Sequence, residues 1–371
     1  MAKRNVVVTG AAGLVGAEVV ARLLAGGHAV VAVTHDNGEL VRNNGRRIRT
    51  KPFRGDFEPE SVVVVRGDIT DPGLGLSSEI RRVVANRSDL VVHNAAVTDF
   101  GLDPARYESV NVTGTRHLLG FLTAGSRRIP LVHVSTAYVC GDRTGVVRED
   151  ELDLGQRHGN PYEASKFHAE VAVAEVRADG WPVAVVRPSV VVGNQRTGAI
   201  REFRNMYIVI KVLTQGRLRA IPGLYDAVID LVPIDRVADV IARVSDRFDT
   251  AAGKTLHVTG ASPLTLRDFS DVLAEYPNFH VPRYIPPANW QLDQLTAAEQ
   301  RYYRSIMVLY EDYFRRRAFF DTTVAREIAG GKPAIEGRAH LRKLLDHGLR
   351  VGYFGPPPRT VSRRTAQLQG S

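Results

Sequence analysis

The 371 residues, 44% hydrophobic and 24% charged, allow two or three domains and a large buried core. A lone cysteine, Cys140, excludes a disulfide scaffold, and no Cys/His cluster has the spacing of a structural zinc site, so no metal and a reducing, cytoplasmic setting are expected. The net charge of +9 is uneven: residues 301–371 hold fourteen basic against six acidic side chains, which leaves the first 300 residues nearly neutral.

No apolar run approaches the roughly 18 residues of a membrane helix. The start of the chain superficially copies a signal peptide, but Glu18 and Arg22 break that pattern, and the sequons at Asn86 and Asn111 then carry no glycosylation meaning. Short β-branched runs at 5–9, 29–33, 62–65, 90–92, 131–135 and 183–186 alternate with helical patterns at 13–25, 104–123 and 161–178. Such alternation predicts an α/β fold with a doubly wound parallel sheet. Residues 36–60, rich in Asn, Gly and Arg, read as a shortened, irregular crossover. Runs at 231–234 and 255–258 read as late strands returning to the sheet. The division expected is a dinucleotide-binding domain at 1–188 and 227–262, a smaller discontinuous substrate domain at 189–226 and 263–355, and a disordered tail at 356–371.

Gly10, Gly13 and Gly16 follow the first strand at GxxGxxG spacing and open a helix. Missing Cβ atoms allow a tight turn, and the helix N-terminus offers N–H donors to a pyrophosphate, so the stretch from Thr9 through Ala12, Leu14 and Val15 is expected to hold a dinucleotide. The end of the second strand carries Thr34 and His35 where an acidic ribose ligand would favour NAD(H). Asp36 follows one or two places late, and Arg42, Arg46, Arg47 and Arg49 lie within reach of an adenosine phosphate, so NADP(H) is expected, with NAD(H) as the alternative.

Tyr162 and Lys166 lie four apart on one helix face, where an ammonium can lower a phenol pKa and tune it to pass a proton to a carbonyl oxygen. Ser135 and Thr136 end the fifth strand, at the carboxyl edge of the sheet where ligands bind, and either hydroxyl can reach the same oxygen. These pieces, with Gly67-Asp68-Ile69, His93-Asn94-Ala95-Ala96, Asn111 and Arg187-Pro188-Ser189, make the chain resemble an extended short-chain dehydrogenase/reductase of Rossmann fold over about its first 260 residues. The strings GDITDPGLGLS, VSTAYVCG, NPYEASKFHAE and RPSVVVGNQRTG are similar to thioester and fatty acyl reductases of the male sterility-like group, with Leu74-Gly75-Leu76 the most telling piece. The resemblance implies Thr136, Tyr162 and Lys166 as a catalytic triad, Lys166 also touching the ribose, with Asn111 in support. It further implies Asp68 and Ile69 near the adenine, and Asn94, Ala95, Ala96, Pro188, Ser189 and Val190 bordering the cofactor.

Reduction of an acyl thioester, carrier- or CoA-bound, to an aldehyde and on to an alcohol is the activity so implied. The alternatives are a ketoreductase, alcohol dehydrogenase or sugar-nucleotide epimerase, and a dinucleotide sensor without chemistry. The resemblance, with no adenylation or carrier domain ahead of Met1, leads to the expectation of a stand-alone enzyme acting in trans on an acidic acyl carrier protein. The basic C-terminal region is complementary to such a partner, and Arg315, Arg316, Arg317, Arg342 and Lys343 are its candidate docking residues, ahead of Arg363 and Arg364 in the tail. The aromatic and basic stretch 302–320 repeats at helical spacing through Tyr303, Ile306, Met307, Tyr310, Tyr313 and Phe314, which indicates a core stripe rather than a nucleic-acid surface. Cys140, His133 and His168 read as packed or surface residues without chemistry.

Overall fold

A computed structural model describes residues 3–330 and 335–355. The expected tail, with Arg363 and Arg364, lies outside the described residues. Eight parallel strands form the central sheet: β1 (Asn5–Thr9), β2 (Ala29–Thr34), β3 (Lys51–Pro52), β4 (Val62–Arg66), β5 (Leu90–His93), β6 (Leu131–Val134), β7 (Val183–Pro188) and β8 (Thr255–Val258). Their spatial order is β8-β7-β6-β5-β1-β2-β4-β3, so the chain reverses direction across the sheet between β1 and β5. Valine runs suit strands buried on both faces, because alternate side chains then serve opposite layers. Val6, Val8, Val92 and Val186 pack with Val19 and Ile241 on one face, whereas Val7, Val91 and Val185 pack with Leu118 and Val173 on the other.

The covering helices are α1 (Leu14–Ala25), α2 (Ser78–Arg87), α3 (Gly114–Thr123), α4 (Pro161–Ala178) and α5 (Ile234–Asp246). Local chemistry fixes their starts. Ser77 Oγ accepts the Ile80 N–H ahead of α2, and Asn160 Oδ1 accepts the Glu163 N–H at 2.9 Å ahead of α4, with Pro161 at its first position. The helix expected at 104–123 is broken into one turn (Pro104–Tyr107), a π-helical stretch (Glu108–Thr113) and α3. Residues 36–60 hold no helix, as expected, but carry a bridge between Val41 and Arg47 and the short edge strand β3.

One expected return to the sheet is corrected. Leu231–Pro233 pairs in parallel with Val190–Val192 in a separate two-stranded sheet, whereas β8 does join β7. A second apolar cluster draws on both sides of that crossing, with Tyr207, Ile210 and Leu218 meeting Leu266, Phe314 and Leu344 in a smaller region of helices and short strands. It leans on the carboxyl ends of the main strands, where the sheet order reverses and α/β proteins place their ligands.

Behind that edge lies a buried ion pair. Arg187, at the end of β7, donates Nε and Nη2 to Glu170 Oε1 of α4 at 2.9 and 2.6 Å, with both side chains at most 3% exposed, and its Nη1 donates to the Glu151 carbonyl at 2.8 Å. Arg187→Met leaves Glu170 buried without its countercharge, and should cost about 3–5 kcal/mol. Urea unfolding should show a lower midpoint at unchanged slope, and the double variant with Glu170→Leu should regain most of the loss.

Candidate active site

The turn after β1 is built around a close backbone approach. Gly10 has φ +64°, and a Cβ there would lie 2.7 Å from Ala95 Cα. A Cβ on Gly16 would lie 2.1 Å from the Gly10 carbonyl oxygen, so Gly16 packs behind the turn and serves its shape. Gly13 precedes α1 with extended backbone and no side-chain cap, which leaves first-turn N–H groups and the positive end of the helix facing a cleft of about 630 Å³. Thr9, Gly10, Ala12, Gly13, Leu14 and Val15 line that cleft. Asn94, Ala95, Ala96, Ser189 and Val190 also line it, while Pro188 does not. Uncapped donors, a left-handed glycine and a cleft of this size fit the pyrophosphate of a nicotinamide dinucleotide.

At the far end, Thr34, His35, Asp68 and Ile69 line the cleft. His35 sits between two carboxylates, Nδ1 to Asp36 at 2.8 Å and Nε2 to Asp68 at 3.1 Å. Arg42, expected at an adenosine phosphate, is corrected: it lies outside the cleft and donates Nη2 to the buried Glu18 carboxylate at 3.0 Å. Arg47 pairs with Glu39 instead. Three arginines that the sequence reading missed do line the cleft, Arg106, Arg201 and Arg204, and Arg201 is the one beside the glycine turn. Its guanidinium hydrogen-bonds the Val41 carbonyl, reaches the Ala12 carbonyl at 3.5 Å and pairs with Glu202 at 2.7 Å. The two carbonyl contacts span 160 and 189 residues of chain, so no local pattern marks Arg201.

At the other end, Thr136 and Tyr162 both line the cleft. Thr136 Oγ1 donates to the Pro188 carbonyl at 3.3 Å and accepts the Tyr138 N–H. Ser135 lies outside the cleft, its hydroxyl buried without a partner. Asn111 is outside as well. Its amide is committed to both backbone groups of Val97 and to Ser165 Oγ, which in turn donates to the Tyr162 carbonyl, so it braces the start of α4. Burial pushes the Tyr162 phenol up, Glu163 adds to the rise, and the Thr136 hydroxyl opposes it. The expected lowering by Lys166 is therefore overturned: the phenol stays protonated at neutral pH. Lys166 is 3% exposed, lies behind the cleft wall and donates Nζ to the Val134 carbonyl at 2.8 Å.

Aromatic rings wall the cleft beside Tyr162. Phe100 lies 5.6 Å from Tyr162 and stacks on Tyr310 at 4.8 Å, and Tyr138 meets Tyr313 at 4.8 Å. The sequence marked Tyr310 and Tyr313 as a core stripe, and they are buried, yet they also face the cleft. The stripe itself divides into an α-helix (Ala297–Ser305) and a 3₁₀ segment (Met307–Phe314).

The expected basic docking patch loses Arg316, while Arg315, Arg317 and Arg342 remain 40–46% exposed. Arg316 is buried on Glu163, Arg315 pairs with Asp312, Arg317 with Asp226 and Arg342 with Glu275, while Lys343 donates to the Arg196 carbonyl. Nearby carboxylates already answer those arginines. Cys140 is buried, and burial pushes its thiol up to about 11, which removes it as a nucleophile at neutral pH. Among the described residues, no helix is long and apolar enough to cross a membrane.

The family model described as "Male sterility protein" matches residues 8–241. "Probable fatty acyl-CoA reductase 4" of Arabidopsis thaliana is 24% identical over 279 residues, 59% of this chain and 56% of that protein. The L-2-aminoadipate reductase large subunit of Penicillium chrysogenum is 27% identical over 304 residues, 76% of this chain and 21% of that protein. The chain thus spans about half of the first relative and a fifth of the second. Among solved structures, the terminal R domain of the myxalamid PKS-NRPS biosynthetic pathway aligns with TM-score 0.77 and 25% identity, covering 96% of this chain and 93% of that one.

Lys166 gives the site a pH signature. Burial pushes its ammonium down from 10.5 to about 8, against the pull of Glu170. Between those values the unfolded chain holds a proton that the native state lacks, so the native state gains stability as pH rises through the window. Relative to Lys166→Met, the wild type should gain about 3 kcal/mol between pH 7 and 10.5, read by urea unfolding at both. A flat difference would mean that the ammonium is solvated.

Proposed function

The chain belongs to the male sterility protein family of NAD(P)-binding oxidoreductases, and on that premise we propose that it reduces an acyl thioester with NADPH, releasing thiol and aldehyde. The observation that carries the proposal is the meeting of the Thr136 hydroxyl and the Tyr162 phenol in one cleft with the uncapped glycine turn. The bound dinucleotide would be held by Gly10 to Val15 and supplies a hydride. Thr136 and Tyr162 hold the thioester carbonyl oxygen between them. As negative charge develops on that oxygen, the two hydroxyls stabilise it, and the phenol, kept protonated by burial, passes its proton. The resulting hemithioacetal then breaks its C–S bond to give the aldehyde and a thiol. Lys166, held by the Val134 carbonyl one helical turn from Tyr162, resupplies a proton toward the phenol. The likeness to a terminal R domain and to acyl-CoA and aminoadipate reductases supports a thioester carried on a thiol arm. A second reduction, of the aldehyde to the alcohol, uses the same two hydroxyls.

Turnover of NADPH with a panel of N-acetylcysteamine thioesters and ketones tests the reading. Oxidation with thioesters and aldehyde formation support it; ketones alone as substrates would transfer the chain to the ketoreductase alternative, and nucleotide binding with no turnover of either to the sensor. Tyr162→Phe should lower kcat by roughly 10²–10⁴ while NADPH still binds, as judged by its fluorescence. Thr136→Ala should cost about 10²–10³, and Ser135→Ala little.

NADPH should be preferred to NADH. Asp36 and Asp68 are both engaged by His35, and Arg201 supplies a cation beside Ala12. Arg201→Met should weaken NADPH binding about tenfold, the loss of one hydrogen bond to a charged group, and leave NADH binding unchanged. An NADH preference in the wild type would assign the ribose to Asp36.

A further inference from the structure

The start of α4 receives a charge from the far end of the chain. Arg316 donates Nη1 and Nη2 to Glu163 Oε1 and Oε2 at 3.0 and 2.9 Å, and the two side chains are 3% and 0% exposed. The guanidinium lies against two adjacent rings of the cleft wall, 5.1 Å from the Tyr138 centroid and 4.9 Å from that of Tyr313. The Gly159 N–H also donates to Glu163 Oε2 at 3.3 Å. Glu163 is the residue after Tyr162 and lies in the first turn of the same helix.

The backbone around Arg316 is fastened on both sides. The Val228 N–H donates to the Arg316 carbonyl and the Gly145 N–H to the Arg317 carbonyl, both at 2.8 Å. A Cβ on Gly159 would lie 2.0 Å from Asp312 Oδ2, so the segment sits directly on the loop that leads into α4.

We propose that Arg316, through Glu163, is a positioning residue that fixes where the Tyr162 phenol stands relative to the aromatic wall of the cleft. A bidentate guanidinium–carboxylate pair constrains direction as well as distance, which a hydrophobic contact of the same volume does not. The same guanidinium holds Tyr138 and Tyr313, so one side chain sets both the proton donor and the wall that faces it. The proposal rests on Tyr162 being the proton donor.

The test uses the full chain, NADPH and whichever N-acetylcysteamine thioester is turned over fastest. Displacement of a reacting group by about 1 Å costs roughly 10²-fold, so Arg316→Met should lose about that much kcat, with KM and the NADPH dissociation constant within threefold of wild type. Arg316→Lys, which keeps a charge but not the fork, should recover only part of it. Because Arg316→Met leaves a buried carboxylate unpaired and can fail to fold, the double variant Glu163→Gln/Arg316→Met carries the decision. It should unfold at a urea midpoint near wild type and still show the kcat loss. A double variant with wild-type kcat, or losses shared equally by kcat, KM and NADPH binding, would overturn positioning and leave the pair a stabilising role. Tyr162→Phe, assayed alongside, separates the two readings: an active Tyr162→Phe removes the donor assignment itself, whereas an inactive one beside a fully active double variant removes only the positioning.

Discussion

Everything in the cleft depends on how closely β1 and β5 approach each other at their carboxyl ends. The Gly10 backbone touches that of Ala95 so tightly that any Cβ would enter the peptide, and Asn94 Nδ2 ties back to the Gly10 carbonyl at 3.3 Å. This contact sits where the strand order reverses, so it sets the floor on which the nucleotide turn and the candidate catalytic hydroxyls share one cavity. Thr9 Oγ1 supports it from beneath, bonding His93 Nδ1 at 2.8 Å and accepting the Ala95 N–H. His93, buried and pushed down to about 3, stays neutral there and can serve as a fixed hydrogen-bonding strut.

Above that floor the smaller region is held by charge placed inside the protein. Glu149 accepts the N–H groups of His257, Val324 and Ala325, joining β8 to the helix Thr323–Ala329. Arg187 ties the end of β7 to α4 through Glu170, and Arg316 ties the segment after Phe314 to the start of the same helix through Glu163. Burying such pairs gains little net stability, because desolvation offsets most of the Coulomb attraction. What they supply is direction, since a guanidinium fork meets a carboxylate in few geometries. The basic excess of the C-terminal region is partly consumed in this way, which is why charge counting pointed outward while Arg316 points in.

The site is consistent with acid catalysis by a group that burial keeps protonated. Within one helical turn, burial drives a phenol and an ammonium in opposite senses, each toward its neutral form. Tyr162 therefore keeps its proton at neutral pH, and Lys166 titrates near pH 8. Such a division suits a step in which an oxyanion must be met by a proton already in place.

The sequence by itself determined what depends on neighbours in the chain. Valine runs buried on both faces, the glycine turn opening α1 and the i, i+4 pairing of Tyr162 with Lys166 are local patterns, and their elements stand within a residue or two of where they were read. The irregular crossover at 36–60 was equally legible from its Asn, Gly and Arg content, but the edge strand β3 within it was not. Only the tertiary structure decided which hydroxyl of Ser135 and Thr136 faces the cleft, because successive residues at a strand end point to opposite sides. It also decided the fate of the charges. Arg42 is turned to Glu18, Arg316 to Glu163 and Arg201 to the glycine turn by contacts 24, 153 and 189 residues away in the chain. A guanidinium carries no local record of its partner: its long side chain follows whichever carboxylate or carbonyl the fold brings near, and that is fixed only when the sheet closes.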